Sequence, residues 1–208
     1  MHVRHTERFD SFKGSDGRMA STPGGREAAA EFGASLPPNR RYRLFHTYLD
    51  RTRETAEEIR RGIVEGGGSA ELCGEVKPLG TLDLAAFQRW IQSHKWFPED
   101  GGYHCTCHWI AGLIPETIRS PSMSFAQETA EITVNNLIGA QSNAFHIYVS
   151  HDTWVQALIF HWFAVPPHPD GLRFLDGFLM QPLEGGTRAW FRGGCDVYDY
   201  PPYWPKPA

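Results

Sequence analysis

The sequence predicts an α/β fold, a three-layer α/β/α sandwich with a mostly parallel central sheet and a small inserted cap. Three observations point there. Short apolar runs alternate with amphipathic helical stretches along most of the chain, the pattern of a sheet covered by crossover helices. The strongest strand, residues 145–150 (FHIYVS), runs straight into a helical stretch at 152–163. Two expected strands end in chemistry-bearing residues, Val3 into Arg4-His5 and Val149-Ser150 into His151-Asp152, and open α/β sheets gather ligands at the carboxyl ends of their strands.

Taken in order, the first strand ends at Arg4. Only three residues precede it, so the natural strand is expected to be longer, with this chain beginning inside it. Residues 6–24 are polar and read as a loop. A helix follows, capped by Thr22 or Gly24, with Ala28, Ala29, Phe32 and Leu36 on one face and Pro37-Pro38 ending it. Residues 43–47 (RLFHT) form a short buried strand. Residues 50–63 form a charged helix with Ala56, Ile59 and Ile63 inward, stopped by Gly66-Gly67-Gly68. A strand at 72–76 leads to a helix capped by Asp83 that carries Leu84, Phe87, Trp90 and Ile91. Residues 94–121 lack periodicity and read as the cap insert. A helix spans 122–138. Residues 172–183 and 187–192 form a hairpin across Glu184-Gly185-Gly186, and the aromatic tail from Tyr198 is coil.

The chain has 208 residues, is 41% hydrophobic and carries a net charge of −4. That fits a single domain over residues 1–208 with an ordinary core. The charge predicts no nucleic acid and no anionic membrane as partner, so any anion must meet local positive charge. No apolar run reaches 18 residues, and the start does not read as a signal peptide; a cytoplasmic location is the expectation. The four cysteines are irregularly spaced and read as reduced thiols.

Arg4, His5, Arg51 and His151 suit phosphoryl transfer. A phosphoryl group carries about two negative charges, and two guanidiniums grip its oxygens in bidentate fashion. A neutral His5 offers a ring nitrogen for in-line attack. A cationic His151 adds a donor for the equatorial oxygens, and Asp152 is placed to protonate the leaving oxygen and then to activate water. Positioning and charge stabilisation suffice without a metal or cofactor.

These residues lie in segments that resemble the histidine phosphatase superfamily, which includes the phosphoglycerate mutases and the histidine acid phosphatases. Arg4-His5-Thr6 is similar to the Arg-His-Gly nucleophile motif, with Thr6 in place of Gly. Thr22 to Ala29, with Gly33 and Leu36, is similar to its Thr-x-x-Gly-x-x-x-Ala…Gly-x-x-Leu helix. Thr47 to Ala56 is similar to its Ser-Pro-Leu-x-Arg-Ala-x-x-Thr-Ala segment, and Ser150-His151 to its second histidine. The resemblance covers nearly the whole chain. It implies His5 as nucleophile and Arg4, Arg51 and His151 as phosphate ligands. Arg8 stands where the acid-phosphatase branch has a second Arg, and His151-Asp152 matches that branch's His-Asp pair, which makes Asp152 the proton donor. The other branch uses a mid-chain Glu, so Glu75, Glu116 and Glu7 remain alternatives. Asp10 replaces the acid-phosphatase branch's Pro.

Two features outside the motifs have plainer readings. His104-Cys105-Thr106-Cys107-His108 has a zinc-like composition, but a strand would point its cysteines and histidines to opposite faces, so no metal is expected. Trp90, Trp96, Phe97, Tyr103 and Trp109 read first as the cap's own core. As a functional reading, Trp96, Phe97, Tyr103, His104 and Trp109 would line a site for a planar substrate. The expected function is hydrolysis of a small-molecule phosphomonoester through a phosphohistidine, with a flavin mononucleotide analogue as one candidate substrate. A phosphoglycerate-mutase-like phosphotransferase and a non-catalytic phospholigand-binding module are the rivals. A homodimer is compatible with all three.

Overall fold

The computed structural model describes residues 1–9, 20–80, 89, 102–140 and 143–205. The chain falls into two compact units. One comprises Met1–Gly80, Gly139–His151 and Arg173–Gly177, and the other Thr81–Ile138, Asp152–Leu172 and Phe178–Ala208.

The first unit contains β1 (His2–Arg4), α1 (Pro23–Ala34), β2 (Arg41–His46), α2 (Asp50–Glu65), β3 (Ser69–Glu75), a 3-10 turn at Lys77–Gly80 and β4 (Ala144–Ser150). Its strands are all parallel: β3 pairs with β2, β2 with β4, and β4 with β1. In this register Leu44 lies beside Ile147, and Val3 beside Val149. One face of the strands therefore joins Val3, Tyr42, Leu44, Ile147 and Val149 to Ala29, Ala56, Ile59 and Ile63 of the two helices in one buried cluster. Burial of this apolar stripe, rather than helix propensity, holds α2 in place.

Helices α1 and α2 pack against each other closely enough to demand a glycine. A Cβ on Gly62 would overlap the carbonyl oxygen of Ala30 and come within 2.9 Å of the Ala34 nitrogen. Both are backbone atoms, which cannot rotate away. The Gly62→Ala variant is expected to lose about 2 kcal/mol or more, outweighing the helix-propensity gain of up to about 1 kcal/mol. A denaturant titration checks this, and an unchanged midpoint would refute it.

The second unit contains α3 (Tyr103–Ile110), α4 (Ser122–Ile138), α5 (Asp152–Phe163), all but the first residue of β5 (Gly177–Leu183), β6 (Gly186–Phe191) and β7 (Gly194–Asp199). Its core joins Trp109, Phe125, Trp154, Leu158, Trp162, Phe163, Phe178 and Trp204 with smaller residues from all three helices. β5, β6 and β7 form an antiparallel meander.

Three expectations change. The fold is α/β, but the described strands are mixed, parallel in the first unit and antiparallel in the second. The hairpin's first strand begins at Gly177, not 172, because Arg173–Asp176 makes a turn against Arg4. A further strand, β7, begins at Gly194, in a stretch given no element, and runs two residues into the tail expected as coil. Its residues are mostly exposed, so it carries no apolar run to announce it. The turn at Arg192-Gly193, with φ of 50° and 75°, was the available signal. The helix expected around 83–91 lies outside the described residues except for helical Arg89, as do 94–101 of the expected insert. Among the described residues, no helix is long and apolar enough to cross a membrane.

Candidate active site

The first unit brings Arg4, His5, Arg51 and His151 together. His5 follows β1, and its backbone N–H donates to the Ser150 carbonyl at 2.9 Å, which sets it beside the end of β4 and hence beside His151. Arg51 lies in the first turn of α2, which begins four residues after β2. Leu49 turns the chain into this helix in an extended conformation without a side-chain cap. The helix N-terminus adds partial positive charge beside the guanidinium.

Arg51 sits between the two imidazoles. Its Nε–H donates to His5 Nε2 at 3.1 Å, and its Nη2 contacts His151 Nδ1 at 3.3 Å. The histidine rings lie edge to face, 5.4 Å between centroids. Arg51 is 8% exposed, and its buried Nη1 has no hydrogen-bond partner among the described residues. Burial, followed by the charge of Arg8 and less of Arg4, lowers its pKa to about 10. A guanidinium held this way gains most from an arriving anion.

Both tautomers follow from the partners. His5 Nδ1 lies 2.6 Å from the Thr6 carbonyl oxygen. A carbonyl only accepts, so Nδ1 carries the proton and Nε2 presents a lone pair. Burial, then the charge of Arg51, holds the His5 pKa well below its ordinary 6.5, with Arg4 and Arg8 adding smaller effects against the Thr6 hydrogen bond. His5 is therefore neutral at physiological pH, with the Nε2 lone pair open to an electrophile once Arg51 turns away. Arginine only donates, so His151 Nδ1 accepts and Nε2–H donates to the Thr47 hydroxyl at 3.2 Å. Thr52 spends its hydroxyl proton on the Leu49 carbonyl at 2.7 Å or the Thr47 carbonyl at 3.1 Å. Thr47 must then donate to Thr52, 2.8 Å away, which leaves its oxygen to accept from His151.

The loop that follows His5 is tied to α1 and α2. The Thr6 hydroxyl donates to the Gly25 carbonyl at 2.7 Å, and the Thr6 N–H to the Thr55 hydroxyl at 3.1 Å. Thr22 caps α1 by accepting from the Gly25 N–H and donates to Glu7 at 2.6 Å. A Cβ on Gly25 would lie 2.5 Å from the Glu7 carbonyl oxygen, so that approach needs glycine. Thr6, in place of the motif's Gly, thus supplies an additional staple.

The other expected site residues are dispersed. Arg8 is half-buried; its Nη1 donates to the Phe9 carbonyl at 3.2 Å, and its charge acts on both His5 and Arg51. Asp152 follows His151 directly and begins α5 of the second unit. There its Oδ1 accepts from Gln156 Nε2 at 2.7 Å and from the Leu172 N–H at 3.1 Å. Of the alternative acids, Glu7 is held by Thr22, and Glu75 and Glu116 are exposed. Tyr103 is half-buried and His104 exposed on α3. Trp109 is 2% exposed, in the second unit's core, with Arg119 over its ring at 3.2 Å; it packs instead of lining a surface. Trp96 and Phe97 lie outside the described residues. The strand assumed for 104–108 is a helix, in which His108 Nδ1 lies 2.8 Å from the His104 carbonyl.

The sequence reading missed three contributors. Thr47 and Thr52, quoted only as motif positions, orient His151. Phe174 lies against Arg4 and His5. An isolated aromatic 23 residues after His151 carries no local signal of that placement.

No protein-family model matches the sequence, and no curated protein is found that is similar to it. Solved structures do match in fold. A phosphoglycerate mutase from Bacillus anthracis is 14% identical with a TM-score of 0.58, over 95% of this chain and 90% of that one. A mycobacterial glucosyl-3-phosphoglycerate phosphatase complexed with VO3 is 15% identical with a TM-score of 0.58, over 96% and 98%. A phosphoserine phosphatase from Entamoeba histolytica, in complex with 3-phosphoglyceric acid, is 15% identical with a TM-score of 0.54, over 96% and 94%. The fold is that of the phosphoglycerate mutase-like histidine phosphatases.

Proposed function

We propose that this chain is a member of the histidine phosphatase superfamily and a metal-independent phosphatase that hydrolyses a small-molecule phosphomonoester through a phosphohistidine on His5. The observation that carries the reading is the buried Arg51, bridging a neutral His5 and His151 with its Nη1 unpartnered among the described residues. Three-layer architecture, the cap insert and the cytoplasmic setting belong to the same reading.

In the first step His5 Nε2 attacks phosphorus, the N–P bond forms and the ester P–O bond breaks. Arg51 turns its donors to the phosphoryl oxygens as Nε2 engages phosphorus; Arg4 and Arg8 complete the cradle, and His151, neutral while its Nδ1 accepts from Arg51, takes a proton from solvent there and becomes the cationic donor. Asp152 gives its proton to the leaving oxygen. In the second step Asp152 takes a proton from water, water oxygen attacks phosphorus, the N–P bond breaks, and inorganic phosphate leaves with His5 neutral again.

The Asp152→Asn variant is expected to slow alkyl phosphates by about 10² or more while slowing p-nitrophenyl phosphate far less, because a good leaving group needs no proton. Equal slowing would remove Asp152 from the role and return it to Glu7, Glu75 or Glu116.

A planar aromatic substrate such as a flavin mononucleotide analogue remains part of the proposal, though Trp109 lends it no support. A mutase shares the fold, so phosphate release is measured against isomer formation from phosphoglycerate. The deciding experiment is turnover of p-nitrophenyl phosphate in EDTA, with a rapid-quench search for phospho-His5. Absence of turnover at every pH would leave a phospholigand-binding module.

A further inference from the structure

Phe174 has no place in either core. It is a large apolar side chain, 41% exposed, yet its ring lies 4.3 Å from Arg4 Cζ and 5.9 Å, centroid to centroid, from His5. The four-residue segment that carries it grips the same arginine by its backbone. Arg4 N–H donates to the Asp176 carbonyl at 2.8 Å, and Leu175 N–H donates to the Arg4 carbonyl at 3.2 Å. Leu175 adopts φ of 62°, a left-handed conformation that a branched side chain rarely takes unless its surroundings impose it.

We propose that Phe174 is a positioning residue of the phosphate pocket, the aromatic plate on which the Arg4 guanidinium is laid beside His5. The inference rests on the phosphatase reading and adds a residue that the motifs do not include. Arginine is long and rich in rotamers, and a solvated one would spend little time aimed at a ligand. Stacking engages the face of the guanidinium, whereas oxyanions are gripped through its edge, so one contact prepares the other. The backbone clamp fixes where the side chain begins and the ring fixes where it ends.

The test titrates wild type and the Phe174→Ala, Phe174→Leu and Phe174→Tyr variants with inorganic phosphate, and follows the His5 ring resonances by NMR over pH. Among the described residues, the charged or titratable groups around His5 are Arg4, Arg8, Arg51 and His151, and none is altered. Phosphate affinity is expected to fall about three- to five-fold in the Ala and Leu variants and to be retained in Tyr. The His5 titration should move upward in Ala as the ring that shields it is lost. Unchanged phosphate affinity in Phe174→Ala, or equal losses in Leu and Tyr, would overturn the role of Phe174 while leaving the phosphate site standing. Failure of the wild-type chain to bind phosphate would overturn the phosphatase reading, and this inference with it.

Discussion

The His5→Ala variant is expected to lose turnover of phosphomonoesters by about 10⁴-fold or more, because in the proposed reaction it removes the covalent nucleophile and leaves only binding and charge stabilisation. It should still bind inorganic phosphate, since Arg4, Arg51 and His151 remain. The same variant carries an independent signature in stability. The His5 pKa is held far below its ordinary 6.5 in the folded chain, chiefly by burial and next by Arg51. Between that depressed value and 6.5 the unfolded chain binds a proton that the folded chain refuses. The contribution of neutral His5 to stability is thus full above pH 6.5 and is lost as pH falls from there, by up to about 1.4 kcal/mol per pH unit. His5→Ala removes that dependence. Its denaturation midpoint should vary less between pH 7 and pH 5 than that of the wild type. An equal slope would mean that His5 is not buried neutral, and near-wild-type phosphate release would end its role as nucleophile.

The second large effect belongs to Arg51. Arg51→Ala should lower kcat/KM by about 10² to 10³, the range seen for loss of one preorganised charge-stabilising donor. It should also move the pH profile in a definite direction. In the proposed reaction His5 must be neutral to attack, and the Arg51 charge is the second-largest influence keeping it so. Without that charge the His5 pKa rises, so the acid limb of kcat/KM shifts to higher pH. Arg51→Lys keeps charge but loses the fork that reaches both imidazoles; it should retain the acid limb better than it retains rate. A uniform rate loss with the acid limb unmoved in Arg51→Ala would show that Arg51 does not face His5.

Much of the fold was legible because local chemistry specified it. Thr22 and Pro23 open α1, apolar spacing defines α2, and the run FHIYVS could only be a buried strand. α4 and α5 were read at their observed bounds. β7 was not legible, being an exposed strand stabilised by backbone pairing to β6, which leaves no apolar imprint. Trp109 could not be told from a substrate platform, since an indole serves a core or a pocket equally well by composition. The helix at 103–110 was hidden because its histidines, cysteines and aromatics have no preference strong enough to exclude a strand.

What the sequence determined by itself was which side chains gather at the candidate site. Arg4, His5, Arg51 and His151 stand at strand ends and a helix start, and parallel pairing of β2, β4 and β1 necessarily carries those ends to one edge. What only tertiary structure decided was the state of each group. The Thr6 carbonyl sets the His5 tautomer, the Thr47–Thr52 pair sets that of His151, and burial beside two imidazoles sets the charge balance of Arg51. Phe174 joins them from 170 residues beyond Arg4. Strand order follows from local pattern, whereas protonation and aim depend on atoms a few ångströms away in space, whose separation along the chain carries no information about them.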